Sequence, residues 1–283
     1  MIRPGIFART FARPSLEEAL DAVLETGLRA TQFNLALAGG ESLPDEIPAE
    51  LARRVRVACQ ARGIEMAAVS GSYNMAHPDP ADRARGGRAL AQLIGSSHAL
   101  GTGIVTLCTG TRDPGDMWRW HAGNDSREAW NDMLDSMQAA LRVAEVHCVT
   151  LAFEPERHNI VNSARAGYSL LRALPSPALK VVLDPVNLLQ PGTLQDQKAT
   201  MEDAFAKLGD RVVLAHAKDL RDDGAVVPAG RGGLDYDLYL RLLQQVGYQG
   251  PLILHSLSEK EVPASVAFLH RMIRSAGLET PAL

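Results

Sequence analysis

Residues 178–187 read ALKVVLDPVN. Consecutive apolar, β-branched positions suit a strand buried on both faces, and Pro185, which cannot donate to a strand ladder, ends the run just after Asp184. Three other segments repeat the pattern: VTLAFEPE (149–156) reaches Glu154, VVLAHAKD (212–219) carries His216, and GPLILHSLSE (250–259) carries His255. A carboxylate or imidazole at the end of such a strand is costly to desolvate unless something pairs with it. One divalent cation held by Glu154, Asp184, His216 and His255 would remove that cost and supply a reaction centre.

Working outward, strand and helix signals alternate along the chain. PGIFAR (4–9) precedes the helical SLEEALDAVLETG (15–27), with Ser15 and Glu18 at capping-box spacing and Gly27 as its stop. ATQFNLA (30–36) precedes PAELARRVRVACQARG (48–63), and IEMAAVSG (64–71) precedes DPADRARGGRALAQLIGSSHALG (79–101). GIVTLCTG (103–110) leads to a helix from about Ser126 to His147. Helical stretches near 163–174, 197–208, 236–246 and 261–276 accompany the later strands. Alternation of this kind predicts a parallel sheet with helical crossovers. Eight units without a linker predict an α/β fold, a single-domain (β/α)8 TIM barrel over residues 1–283, with its chemistry at the C-terminal ends of the strands.

The composition narrows the function classes. A formal net charge of -4 over 283 residues argues against a nucleic-acid partner. Cys59, Cys108 and Cys148 form no metal-finger or redox spacing. The start, MIRPGIFARTF, lacks the apolar stretch of a signal peptide or membrane span. The expectation is a soluble, cytoplasmic protein without a membrane partner.

Around the four strand ends lie further candidates. Glu156 stands two residues beyond Glu154, either as a substrate contact or in a solvated loop beside Arg157. Asp184 is a metal ligand or the cap of the following turn. Asn187 is a substrate contact or a cap, and Lys218 stabilises an oxyanion or pairs with Asp219. SGSYNMAHPDP (70–80) offers His77, and GTRDPGDMWRWH (110–121) offers Trp118 and Trp120. Those rings suit a lid over a sugar, or equally a rim cover or the interface of a homo-oligomer. PAGRGGLD (228–235), with Arg231, lies where barrels often bind phosphate but lacks Walker spacing.

On LAFEPE, VVLDPVN, HAKD, PAGRGGLD and GYQGPLIL, the chain resembles the xylose isomerase-like barrel superfamily of sugar (phosphate) isomerases and epimerases. The resemblance implies a divalent metal held by a Glu, an Asp, a His and a further Glu at successive strand ends. Glu154, Asp184 and His216 match the first three, and His255 stands in the place of the last. Family members often carry a His three residues after the Asp, where this chain has Asn187. The ketose epimerases of that family use two metal-bound glutamates on opposite faces of the substrate, and only Glu154 is present for that pair. An imidazole-rich ligand set favours Mn, Zn, Co or Fe over Mg.

The leading expectation is an enzyme: a metal-dependent isomerase or epimerase of a small sugar, sugar phosphate or keto-polyol. It would remove a proton next to a carbonyl, with Glu154 as general base and His255 for the opposite transfer. The alternatives are an inosose-type dehydratase, which starts with the same proton abstraction, and a sugar-binding barrel that has lost catalysis. Hydrolysis of DNA at abasic sites, known in a related branch with three zinc ions, needs more ligands and a basic face.

Overall fold

In the computed structural model, which describes residues 1–190 and 192–278, the alternation closes into a barrel of eight parallel strands. These are β1 (Arg3–Phe7), β2 (Ala30–Phe33), β3 (Glu65–Ser70), β4 (Ile104–Leu107), β5 (Thr150–Phe153), β6 (Leu179–Leu183), β7 (Val212–Ala217) and β8 (Pro251–Leu254). Each pairs with its sequence neighbours, and β8 closes on β1 through Arg3↔Pro251 to Ile6↔Leu254. Residue 191 and the last five residues of the expected domain, 279–283, lie outside the described residues.

The crossovers are α1 (Leu16–Glu25), α2 (Ala49–Ala61), α3 (Pro80–Leu100), α4 (Arg127–Val146), α5 (Ala164–Ala173), α6 (Gln197–Leu208), α7 (Tyr236–Gln245) and α8 (Val262–Ser275). Their starts follow local chemistry: Ser15, Asp79, Ser126, Ser163 and Asp235 each accept a backbone N–H of the first turn. No helix among the described residues is long and apolar enough to cross a membrane.

Two apolar layers result. The larger fills the space between strands and helices; the smaller, formed by Ala67, Ala68, Ala152, Val182, Leu214 and Ile253, plugs the barrel interior. Side chains alternate across a strand, so the residue two positions further on shares the inner face. Two positions beyond Ala152, Val182, Leu214 and Ile253 stand Glu154, Asp184, His216 and His255. The four polar ends are thus the next inward row above an apolar plug. On the adjoining strand β1, a Cβ on Gly5 would lie 2.7 Å from Ile253 Cδ1 and 2.9 Å from the Ala30 carbonyl oxygen, so the plug leaves no room there for a side chain.

Past β7 the chain departs from a simple strand extension. Asp219–Leu220 pairs antiparallel with Val226–Val227, and the turn over 228–235 wraps around the buried Asp219 carboxylate. Asp219 Oδ1 accepts the N–H groups of Leu220 and Leu234, both at 2.9 Å, and Oδ2 accepts that of Gly230 at 3.0 Å. A Cβ at Gly232 would lie 2.4 Å from Asp219 Oδ1, which accounts for that glycine. The amides of this glycine-rich turn are already occupied by a carboxylate and do not form a phosphate cradle.

Asp219→Ala would strand these backbone donors, at roughly 1–3 kcal/mol for each one left buried without a partner. We expect the variant to lose at least about 2 kcal/mol of unfolding free energy in urea; an unchanged midpoint would contradict this account of the turn.

Candidate active site

Glu154 follows β5, Asp184 follows β6 and His216 lies near the end of β7, so three adjacent strands bring them together. One donor atom from each lies within 4.8 Å of the others. His216 Nδ1 is 3.1 Å from Glu154 Oε1 and 3.8 Å from Asp184 Oδ2. Two ligands of one zinc-sized ion, each about 2.1 Å from it, stand some 3–4 Å apart, so these separations suit a shared ion.

The two oxygens of Asp184 have different surroundings. Its Oδ1 accepts the Val186 N–H at 3.0 Å and caps the one-turn helix Pro185–Leu188. Its Oδ2 is buried and takes no hydrogen bond. The Lys218 ammonium lies 2.9 Å from Oδ2, close enough for charge attraction but outside hydrogen-bonding angles. Lys218 is also 3.9 Å from Glu154 Oε1 and donates to Asn187 Oδ1 at 3.3 Å, while Asn187 Nδ2 donates to Glu154 Oε1 at 2.7 Å. Asn187 therefore bridges base and ammonium instead of capping a helix.

The strand ends are tied down from outside the barrel. Tyr239 on α7 donates to the carbonyls of both Leu183 and His216 at 3.1 Å, and Tyr236 donates to that of Lys218 at 2.6 Å. Burial works against the Lys218 ammonium, but Asp184 and Glu154 outweigh it and raise its pKa. Burial alone would likewise raise the Glu154 carboxyl; the charges of His216 and Lys218 overcome this and hold it at about 2. For Glu156 burial outweighs the His158 amide and the charges of His158 and Lys218, and pushes its carboxyl above the ordinary value.

The expected fourth ligand is placed differently. The His255 ring stacks between Phe7 and His216, at centroid distances of 5.1 Å on each side. Its Nδ1 is 2.8 Å from the Ser256 hydroxyl, and among the described residues the donor cluster contains only Glu154, Asp184 and His216. Ligands bind in the ring plane, and two rings inclined by 22° and stacked face to face do not converge on one ion. Burial, aided by Lys218 and His216, drives the His255 pKa well below 6.5, which leaves a neutral imidazole at the cavity wall.

Above this centre opens a cavity of about 470 Å³. Its wall follows the inward rows of the barrel, from Phe7 and Arg9 through Gln32 and Thr106 to Glu154, Glu156, Asn187, Lys218 and His255. The volume falls within the range of small-molecule sites.

Residues 20–273 match the family model of the xylose isomerase-like TIM barrel. The chain belongs to this family. Its relatives include L-ribulose-5-phosphate 3-epimerase UlaE of Escherichia coli, 28% identical over 196 residues that make up 68% of this chain. The matched stretch spans 64% of that relative's length. Among solved structures, a D-tagatose 3-epimerase-like protein aligns with a TM-score of 0.78 at 13% identity, covering 97% of this chain and 98% of its own. An L-ribulose 3-epimerase aligns at 0.72 and 19%, covering 98% and 96%. The probable 3-DHS dehydratase AsbF of Bacillus anthracis aligns at 0.73 and 13%, covering 95% and 98%. At such identities the structures show a shared fold.

Within this xylose isomerase-like barrel, the other predicted residues divide. Glu156, Asn187, Lys218 and the half-exposed Trp118 line the main cavity. His77 does not: its Nε2 meets the Pro114 carbonyl at 3.2 Å and its Nδ1 accepts the Asp79 N–H at 3.0 Å. Both nitrogens thus serve the local loops, and His77 faces a neighbouring depression. Arg231 is exposed beside Arg221 and Asp223 in a separate shallow depression. Trp120 is exposed and outside the main cavity.

Sequence reasoning missed Gln32 and the buried Asn159. Asn159 Oδ1 accepts the N–H groups of Thr109 and Gly110, and its Nδ2 reaches the Met117 carbonyl and Glu156 Oε2. It thereby locks the Trp118 loop to the cavity floor. Gln32 was detectable as an amide placed among apolar residues in ATQFNLA, a polar group that needs a partner when buried.

The depressed Glu154 carboxyl sets a pH dependence. Its folded value of about 2 lies below the ordinary 4.5, so ionised Glu154 stabilises the metal-free fold above pH 4.5 and that contribution is lost as pH falls toward 2. The stability gap between wild type and Glu154→Gln should therefore narrow over that window in thermal unfolding of metal-free protein. A gap that widens on acidification would contradict the assignment.

Proposed function

We propose that this chain is a metal-dependent epimerase or isomerase of a small keto-sugar. The observation that carries the proposal is the convergence of Glu154, Asp184 and His216, with Glu154 lining the main cavity and Asp184 Oδ2 buried and without a hydrogen bond. The names of the epimerase relatives point to the same reaction class. Glu154, Asp184 and the imidazole of His216 would hold the ion, a donor set of two carboxylates and one imidazole that suits Mn. When bound, a divalent ion polarises a carbonyl and so acidifies the neighbouring C–H.

The side chains supply the remaining steps. Glu154, ionised at neutral pH, accepts the proton from the carbon beside the carbonyl. Asn187 donates to Glu154 Oε1 and fixes that oxygen. The Lys218 ammonium offers positive charge to the oxyanion that forms. His255 borders the same cavity as a neutral imidazole, a proton acceptor that has to take up a proton before it can return one to the substrate. The face formed by Phe7 and His255 and the ring of Trp118 suit the CH faces of a sugar.

A phosphate would not be held where the sequence suggested: the Gly230 and Leu234 amides bond to Asp219 and Arg231 lies outside the cavity, which leaves Arg9 and Lys218 as the cations of the cavity wall.

Incubation of keto-pentoses and keto-hexoses in deuterated water with Mn²⁺ tests the proposal. We expect deuterium at one carbon of a product isomeric with the substrate, with turnover lost on chelation. Glu154→Gln should lower kcat by at least about 100-fold while leaving the fold intact. A product lacking one water would assign a dehydratase instead, and sugar binding without any exchange would leave a binding barrel.

A further inference from the structure

His216 can present Nδ1 to an ion only if its proton resides on Nε2, and one buried side chain sets that. Gln32 Oε1 lies 2.7 Å from His216 Nε2. A carbonyl oxygen only accepts, so Nε2 carries the hydrogen. The amide in turn is oriented by its other end, where Gln32 Nε2 donates to Thr106 Oγ1 at 3.2 Å.

With Nε2 committed to Gln32, Nδ1 is the ring nitrogen left to an ion. That atom faces Glu154 Oε1 at 3.1 Å and Asp184 Oδ2 at 3.8 Å, the two oxygens that would share the ion with it.

The strand register puts Gln32 on the inner face: it pairs with Phe7 of β1, whose ring also lines the cavity. On its other side β2 pairs with β3 as Thr31↔Met66 and then Gln32↔Ala68, so β3 carries the extra residue, Ala67. Beside Gln32, Thr31 turns its hydroxyl onto the Ile6 carbonyl at 2.7 Å. Ala68 is small, which leaves room in the interior for Gln32, itself 4% exposed, on its way to Thr106 of β4.

We propose that Gln32, held by Thr106, is the positioning residue that fixes the His216 tautomer and so turns Glu154, Asp184 and His216 into a metal site. The inference rests on the metal-site reading above and deepens it. Gln32 reaches across the barrel from β2 to a ligand on β7, so the site depends on a residue far from the other ligands in sequence.

The test is titration calorimetry of metal-free protein with Mn²⁺ alone, together with apo thermal melts to establish that each variant is folded. Wild type should bind one ion per chain. Gln32→Leu should weaken binding by about 10–100-fold, the range typical of lost ligand-orienting partners. Gln32→Glu keeps an acceptor opposite Nε2 and should retain wild-type affinity, a rescue that a merely space-filling role would not give. Thr106→Val should weaken binding in the same direction as Gln32→Leu. A Gln32→Leu variant with wild-type Mn²⁺ affinity would overturn the inference while leaving the metal site standing, and a raised KM alone would reassign Gln32 to substrate contact. Wild-type protein that takes up no ion would overturn both.

Discussion

Two carboxylates at the floor of a barrel, directly above a plug of alanine, valine, leucine and isoleucine, are the constraint around which the rest of the site is arranged. Glu154 and Asp184 have little water to solvate them, and a charge buried there without partners is costly. The surrounding groups act against that. Lys218 supplies charge, Asn187 donates to Glu154, the Val186 amide donates to Asp184, and His216 turns a nitrogen toward both. The tyrosines of α7 then hold the carbonyls of the same strand ends from outside, which couples packing of the helical shell to the geometry of the centre.

Much of this was legible in the sequence because a closed barrel imposes a simple rule on buried strands. Inner and outer positions alternate, so a polar residue two places beyond an inward apolar one must face the cavity. That rule, with the strand-to-strand spacing, is enough to place Glu154, Asp184 and His216 together. It also puts His255 at the end of β8, beside them in the barrel, but it does not fix ring orientation. The stack of Phe7, His255 and His216 is a three-dimensional fact that neither spacing nor composition contains.

The loops were less legible for a related reason. PAGRGGLD has the composition of an anion-binding turn, but its amides close on Asp219, whose position within HAKD suggested only an extended strand. His77 carries a ligand-type side chain, yet both its nitrogens are taken by nearby backbone groups. In each case local hydrogen bonding claimed groups that composition alone would assign to a substrate. Gln32 is the opposite case: an unremarked residue on the inner face of β2, where its amide meets the His216 imidazole.

The central claim is that Glu154, Asp184 and His216 form a metal centre, and diffraction from crystals grown with Mn²⁺ tests it most directly. The account predicts one anomalous peak, with a Glu154 oxygen, Asp184 Oδ2 and His216 Nδ1 each at about 2.0–2.3 Å from it. No peak at this position in Mn²⁺-saturated crystals, or a peak ligated through His216 Nε2, would contradict it.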